Sequence, residues 1–305
     1  MLRRLASRRF NCSCLVISVV LLAPSLAISV CQAGQSSAPS SAAQEQPGKP
    51  PADPISELVQ RLSPPQKMQF SNAVQAFREQ RYPEALAIFK QLLSQVPGDA
   101  TLSKFATETA LNSGDAAFAL KTIRPLAEVR PDDFQAANLL TRACAESGDT
   151  SCRDAAMARM ADLHRRGLTP PAMKDYVVER TKVGHNTLVI YNSFEPWGPY
   201  KVYNYGQVTD SQGKLFLSLS IESSDGDQPL FARQHPEEAA AGLREFSLDA
   251  YRETGLNSQN QRTQTHYTFE FLVGQPSYDK VRGEFIKVLQ GTIKPISSRS
   301  GLIVP

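Results

Sequence analysis

The stretch Tyr82-Pro83-Glu84-Ala85-Leu86-Ala87-Ile88-Phe89 decides the reading of this chain. Ala85 and Phe89 lie four apart, on one face of a helix. A small alanine lets a neighbouring helix approach, and an aromatic or aliphatic residue four on fills the gap. Sliding the chain along itself by 34 residues places Ala85 on Ala119, Pro97 on Pro131 and Asp99 on Asp133. Phe89 falls on Ile123 and then Met157, Leu92 on Leu126 and then Met160, and Gly114-Asp115 on Gly148-Asp149. Such a period holds two amphipathic helices with a turn inside it and a proline at its end. Repeats of this kind bury their apolar faces only by stacking on one another.

The 34-residue period and the Tyr82–Phe89 run resemble the tetratricopeptide repeat family, the run being similar to the start of that family's second helix. The resemblance covers about 100 residues, with repeats at 66–99, 100–133 and 134–166. It implies a concave groove lined by first helices, in which that family commonly holds peptides or partner proteins. Carried onto this chain, the outward residues of those helices are Lys67 and Arg78, then Lys104, Glu108 and Asn112, then Asn138 and Arg142. The pattern departs in places. Gln80 replaces the turn glycine of the first repeat, Pro125 falls inside a second helix, and Arg153 and Arg165 stand where alanine and proline are expected. Phe70 and Val74 occupy the places of a carboxylate clamp's first members and are expected to pack against a helix at 55–62.

That short helix opens at Asp53-Pro54 and carries Ile55, Leu58, Val59 and Leu62 at helical spacing. Ahead of it, residues 34–54 hold no aromatic and no Leu, Ile, Val or Met, the composition of a disordered linker. Residues 1–33 read as a signal peptide: Arg3, Arg4, Arg8 and Arg9 precede the apolar Leu15–Leu22, and Cys31-Gln32-Ala33 offers a cleavage site. An uncleaved anchor over Cys14–Val30 and a lipid-modified Cys31 stay open as alternatives. Export to a bacterial periplasm or cell envelope, or secretion, follows from any of the three.

The formal net charge of +3 conceals an even balance, since removing the four arginines of residues 1–33 leaves 29 basic against 30 acidic residues. A near-neutral chain carries no electrostatic footprint for nucleic acid or an anionic membrane. Its length and 41% hydrophobic content accommodate two domains with sizeable cores. Beyond the leader only Cys144 and Cys152 remain, four residues either side of Gly148, and in an exported chain such a pair predicts a disulfide.

From about residue 174 the periodicity becomes alternating, which makes the expected fold class α+β: a helical repeat domain over 55–168, then an antiparallel sheet domain over 174–294. Strands are expected at 176–183, 187–194, 200–208, 214–222, 230–234, 246–252 and 263–273, with a short helix over 236–243 and a closing helix over 277–290. Residues 295–305 read as a flexible tail.

No catalytic signature emerges: there is no glycine-rich phosphate loop, paired-histidine zinc motif or nucleophile elbow. Ser211–Lys214 and Ser277–Lys280 share a serine–lysine spacing but lack companion motifs, and Asp225-Gly226-Asp227 reads as a turn. His164, His185, His235 and His266 are scattered, so no metal site and no cofactor is expected. Trp197, Tyr200 and Tyr203 form an aromatic segment able to grip a sugar or a peptide, the secondary binding candidate. The expectation is a non-catalytic scaffold that binds a protein through its groove. The alternative places ligand or carbohydrate binding, or an enzyme activity, in the β half.

Overall fold

The computed structural model describes residues 53–171 and 173–302; the leader and most of the linker lie outside the described residues. Helices α1 (Pro54–Arg61), α2 (Pro64–Arg78), α3 (Tyr82–Gln95), α4 (Ala100–Ser113), α5 (Ala116–Val129), α6 (Phe134–Ser147) and α7 (Thr150–Arg165) come first. Sequence chemistry sets their ends. Asp99, Asp115, Asp133 and Asp149 cap α4 to α7, each carboxylate accepting the amide of the residue three on, at 2.9–3.1 Å. Gly114 and Gly148 close α4 and α6 in the left-handed conformation. Gln80, the repeat equivalent of those glycines, adopts φ 60° without glycine's freedom, at a cost of roughly 1–2 kcal/mol.

Two ion pairs recur with the period. Lys90 reaches the Asp115 cap at 2.9 Å, and 34 residues on Arg124 reaches the Asp149 cap at 2.9 Å. Helix α5 continues through Pro125. Its Ala127 carbonyl cannot find a donor four residues on, because Pro131 has no N–H, and the Arg159 guanidinium donates to it instead at 2.8 Å. Leu58 of α1 and Leu62 just beyond it share a core with Phe70, Phe89, Leu92 and Leu102, as expected from Phe70.

Strands β1 (Asp175–Val183), β2 (Asn186–Trp197), β3 (Val202–Thr209), β4 (Leu215–Glu222), β5 (Glu245–Leu256), β6 (Arg262–Val273) and β7 (Ser297–Leu302) form one antiparallel sheet in chain order. Helices α8 (Gln228–Gln234) and α9 (Pro236–Ala240) intervene between β4 and β5, and α10 (Tyr278–Gln290) between β6 and β7. Two expectations need correction. Residues 230–234 are helical, because Pro229 in the first turn starts a helix that buries Phe231. The supposed flexible tail supplies β7, whose six residues are all exposed; backbone pairing with β6 holds it, not burial.

One face of the sheet buries Leu188, Ile190, Leu219, Ile221, Leu248 and Ala250 under Val281 and Phe285 of α10. The same core takes in Ala137 of α6 with Met160 and Leu163 of α7, so repeats and sheet are fused through continuous apolar packing. Polar contacts line this seam. The Glu146 carboxylate of α6 accepts the β1 amide of Arg180 at 3.0 Å, covering part of the sheet's first edge. Arg153, buried where the repeat pattern expects alanine, ties α7 to Asp279 of α10 at 2.7 Å and lies over the Tyr278 ring at 4.7 Å. At the neighbouring core face, Glu179 of β1 accepts from Tyr278 at 3.1 Å and from Arg282 at 2.8 Å.

Candidate functional site

The repeats place the first-helix candidates in rows one period apart. Lys104 and Asn138 are equivalent, as are Glu108 and Arg142, and Asn112 follows Arg78 in the third row. Lys67 and Arg78 on α2 are exposed. Lys104 is half-buried and pairs at 2.5 Å with Asp133, so it steadies the cap of α6. Glu108 and Asn112 are half-buried on the same helix. Asn138 on α6 is half-buried too, and its buried Oδ1 has no hydrogen-bond partner among the described residues.

Arg142 departs from the expectation that it is an exposed groove residue. It is buried and pairs at 3.3 Å with Glu146, one turn along α6. The reason is the seam: β1 packs on α6 and draws the Glu146 carboxylate onto its own backbone. Burial pushes the Glu108 and Glu146 carboxyls above the ordinary carboxylate range, while the charges of Arg142 and Arg180 pull in the opposite direction. The first-helix face is therefore occupied by the chain at both ends. Helix α1 packs on α4 at one end, with Arg61 held at 2.5 Å by Asp99, and β1 packs on α6 at the other. Between them lies the Lys104–Glu108–Asn112 row, with Asn138 beside it.

The opposite side of the array holds an open concavity of about 480 Å³ between α5 and α7, lined among others by Arg124, Glu128, Cys152 and Arg159. Cys152, which lines it, stands at disulfide distance from the buried Cys144, their Cα atoms 5.5 Å apart on facing helices.

The aromatic candidates of the sheet divide. Tyr203 turns into the core, edge-on to Phe246 at 5.1 Å. Trp197 is half-buried, its indole N–H donating to Ser193 at 2.9 Å and its ring edge-on to Tyr205 at 5.9 Å. Tyr200 alone of the three is exposed. The second serine–lysine pair is engaged in structure: Ser277 caps α10, and Lys280 pairs with Glu284 at 2.8 Å. Asp225 is held by Arg244 at 2.5 Å in the turn before α8.

Sequence spacing missed one constellation. The sheet brings Glu222 of β4, Asp249 of β5 and His266 of β6 together, one ligand atom from each within 4.8 Å of the others. Strand register, not sequence spacing, supplies the carboxylate neighbours of His266. Burial and the adjacent Asp249 charge push the Glu222 carboxyl up to about 8.

A family model of the tetratricopeptide repeat matches residues 76–143, so this stretch is a tetratricopeptide-repeat segment. Among solved structures, the chain is similar to the Sgt2 TPR domain from Aspergillus fumigatus, at 19% identity and a TM-score of 0.31. That match covers 36% of this chain and 88% of the other. No curated protein matches the chain.

Proposed function

We propose that this chain is a non-catalytic scaffold that binds a protein partner, and that it does so across the first-helix face between α1 and β1. The observation that carries the reading is Asn138. Its buried acceptor lacks a partner beside the Lys104–Glu108–Asn112 row, on a face that tetratricopeptide repeats present to proteins. A buried unmet acceptor costs on the order of 1–3 kcal/mol, which a backbone N–H of an extended peptide would recover. Lys104 and Glu108 add charges of both signs, suited to a peptide of mixed charge.

The site is exported on this reading, in a bacterial periplasm or envelope or outside the cell, with residues 34–54 as a tether. The composition of residues 1–33 supports it. Terminal sequencing of the mature chain should find it starting near Gly34; retention of Arg3 and Arg4 would exclude cleavage, and a lipid on Cys31 would replace cleavage before Gly34 with anchoring.

Affinity purification of the full chain from its native envelope, followed by titration of the recovered partner, tests the groove. Asn112→Ala with Asn138→Ala should weaken binding at least tenfold, about 1.4 kcal/mol. Stability should hardly change, because neither side chain has an internal partner that its removal would orphan. Arg142→Ala is unsuitable as a binding probe: it would leave Glu146 buried without its guanidinium and destabilise the fold by about 3–5 kcal/mol. A partner that binds the double variant as tightly as the native chain would move the site away from this face.

A further inference from the structure

On the face of the sheet turned away from α10, the alternation of β4 and β5 places Ser220 opposite Asp249 and Glu222 two residues further along. A polar face would ordinarily be solvated, yet Ser220, Glu222 and Asp249 are 6%, 7% and 1% exposed. The Asp249 carboxylate accepts from Thr268 at 2.8 Å and from Ser247, and lies 2.6 Å from Nε2 of His266. Tyr251 donates to Glu222 at 2.6 Å and stacks on the His266 ring at 4.5 Å. The His266 side chain is 35% exposed, which leaves the cluster reachable from solvent.

Two features set this cluster apart from an ordinary buried network. Among the described residues, neither carboxylate pairs with a lysine or arginine, although two buried acids side by side are costly without a cation. Independently, the Ser220 hydroxyl is buried on the same face with no hydrogen-bond partner among the described residues. A hydroxyl in that position can hold a water on an ion bound between Asp249 and Glu222.

We propose that Glu222, Asp249 and His266 form a binding site for a first-row divalent transition metal such as manganese, with Ser220 holding a metal-bound water. Two carboxylate oxygens with one imidazole nitrogen suit such ions, whereas all-oxygen sets suit magnesium and calcium. Binding exchanges the direct His266–Asp249 hydrogen bond for bonds from both residues to one ion. Thr268, Ser247 and Tyr251 then orient the ligating carboxylates from behind.

The test titrates the chelator-treated full chain with Mn2+, following loss of the free ion's electron paramagnetic resonance signal. One ion should bind per chain. His266→Gln and Asp249→Asn should weaken binding at least about tenfold, the loss typical of disturbing a metal site. His266 lies at the solvent rim, so its variant keeps the fold even if the substitution at buried Asp249 does not. Ser220→Ala removes an unpartnered hydroxyl and should weaken binding several-fold with an unchanged melting temperature. His185→Gln, far along the chain, should bind as the native protein does. Absence of binding by the native chain, or equal binding by native and His266→Gln proteins, would overturn the proposal and leave the cluster as a hydrogen-bonded network.

Discussion

At the scale of single residues, Gly206 shows how closely α10 is fitted to the sheet. A Cβ on this β3 glycine would stand 2.9 Å from Cδ1 of Leu188 and 3.2 Å from Cδ2 of Phe285. Both side chains are fully buried, so neither can swing into solvent. Overpacking of this kind costs about 1–3 kcal/mol. Alanine is a better strand residue than glycine by roughly 0.5–1 kcal/mol, which opposes but does not outweigh the clash. Gly206→Ala should therefore lower the unfolding free energy by a net of up to about 2 kcal/mol, read in urea as a lower midpoint with the slope unchanged. An unshifted midpoint would mean that α10 can ride up without loss. Arg142 and Arg153 carry the complementary lesson. Their types suggest solvent, but β1 packing on α6 and α10 packing on α7 convert each into a buried tie.

At the scale of elements, α6 and α7 form the helix pair that joins the repeats to the sheet. Cys144 and Cys152 face each other across its turn, and the covalent bond is the expected state in an oxidising compartment. Closing so short a loop should stabilise by about 2–3 kcal/mol. Cleavage after Arg142 and Arg153 releases both cysteines in one peptide, Ala143–Arg153. In the non-reduced native protein its mass should be two hydrogens below the dithiol value, and recovery of the dithiol would refute the bond. Helices of this kind were legible because the period, the aspartate caps and the turn glycines all repeat. Strand β7 was not, since Ser297–Leu302 has no apolar alternation and is held by its backbone alone. Helix α8 was obscured by Leu230 and Phe231, which read as strand residues unless Pro229 is taken as the start of a helix. The Glu222–Asp249–His266 cluster lies across three strands, and only the register of the folded sheet brings its members together.

At the scale of the whole molecule, the question is whether repeats and sheet unfold separately. The sequence divides them at the change from helical to alternating periodicity, and each half has elements enough to stand alone. The packing argues for one cooperative unit. Met160 and Leu163 of α7 are fully buried in the core that also holds Val178, Leu188 and Phe285. Separation would expose these side chains at about 1.5–3 kcal/mol each, and it would also break the Arg153–Asp279 and Glu146–Arg180 ties. The molecule provides its own reporters. Helical circular dichroism follows mainly α2 to α7, and the single tryptophan, Trp197, sits at the end of β2. The two signals should trace one coincident transition in urea. Met160→Ala should shift both midpoints down equally, the unfolding free energy falling by about 2–5 kcal/mol, because the cavity opens in a core common to both halves. Were helical signal lost while Trp197 fluorescence stayed native, the seam would be a docking contact between independent domains. The proposed partner face and the proposed metal site would then belong to separable modules, and equal shifts would instead make a ligand at either one stabilise the other.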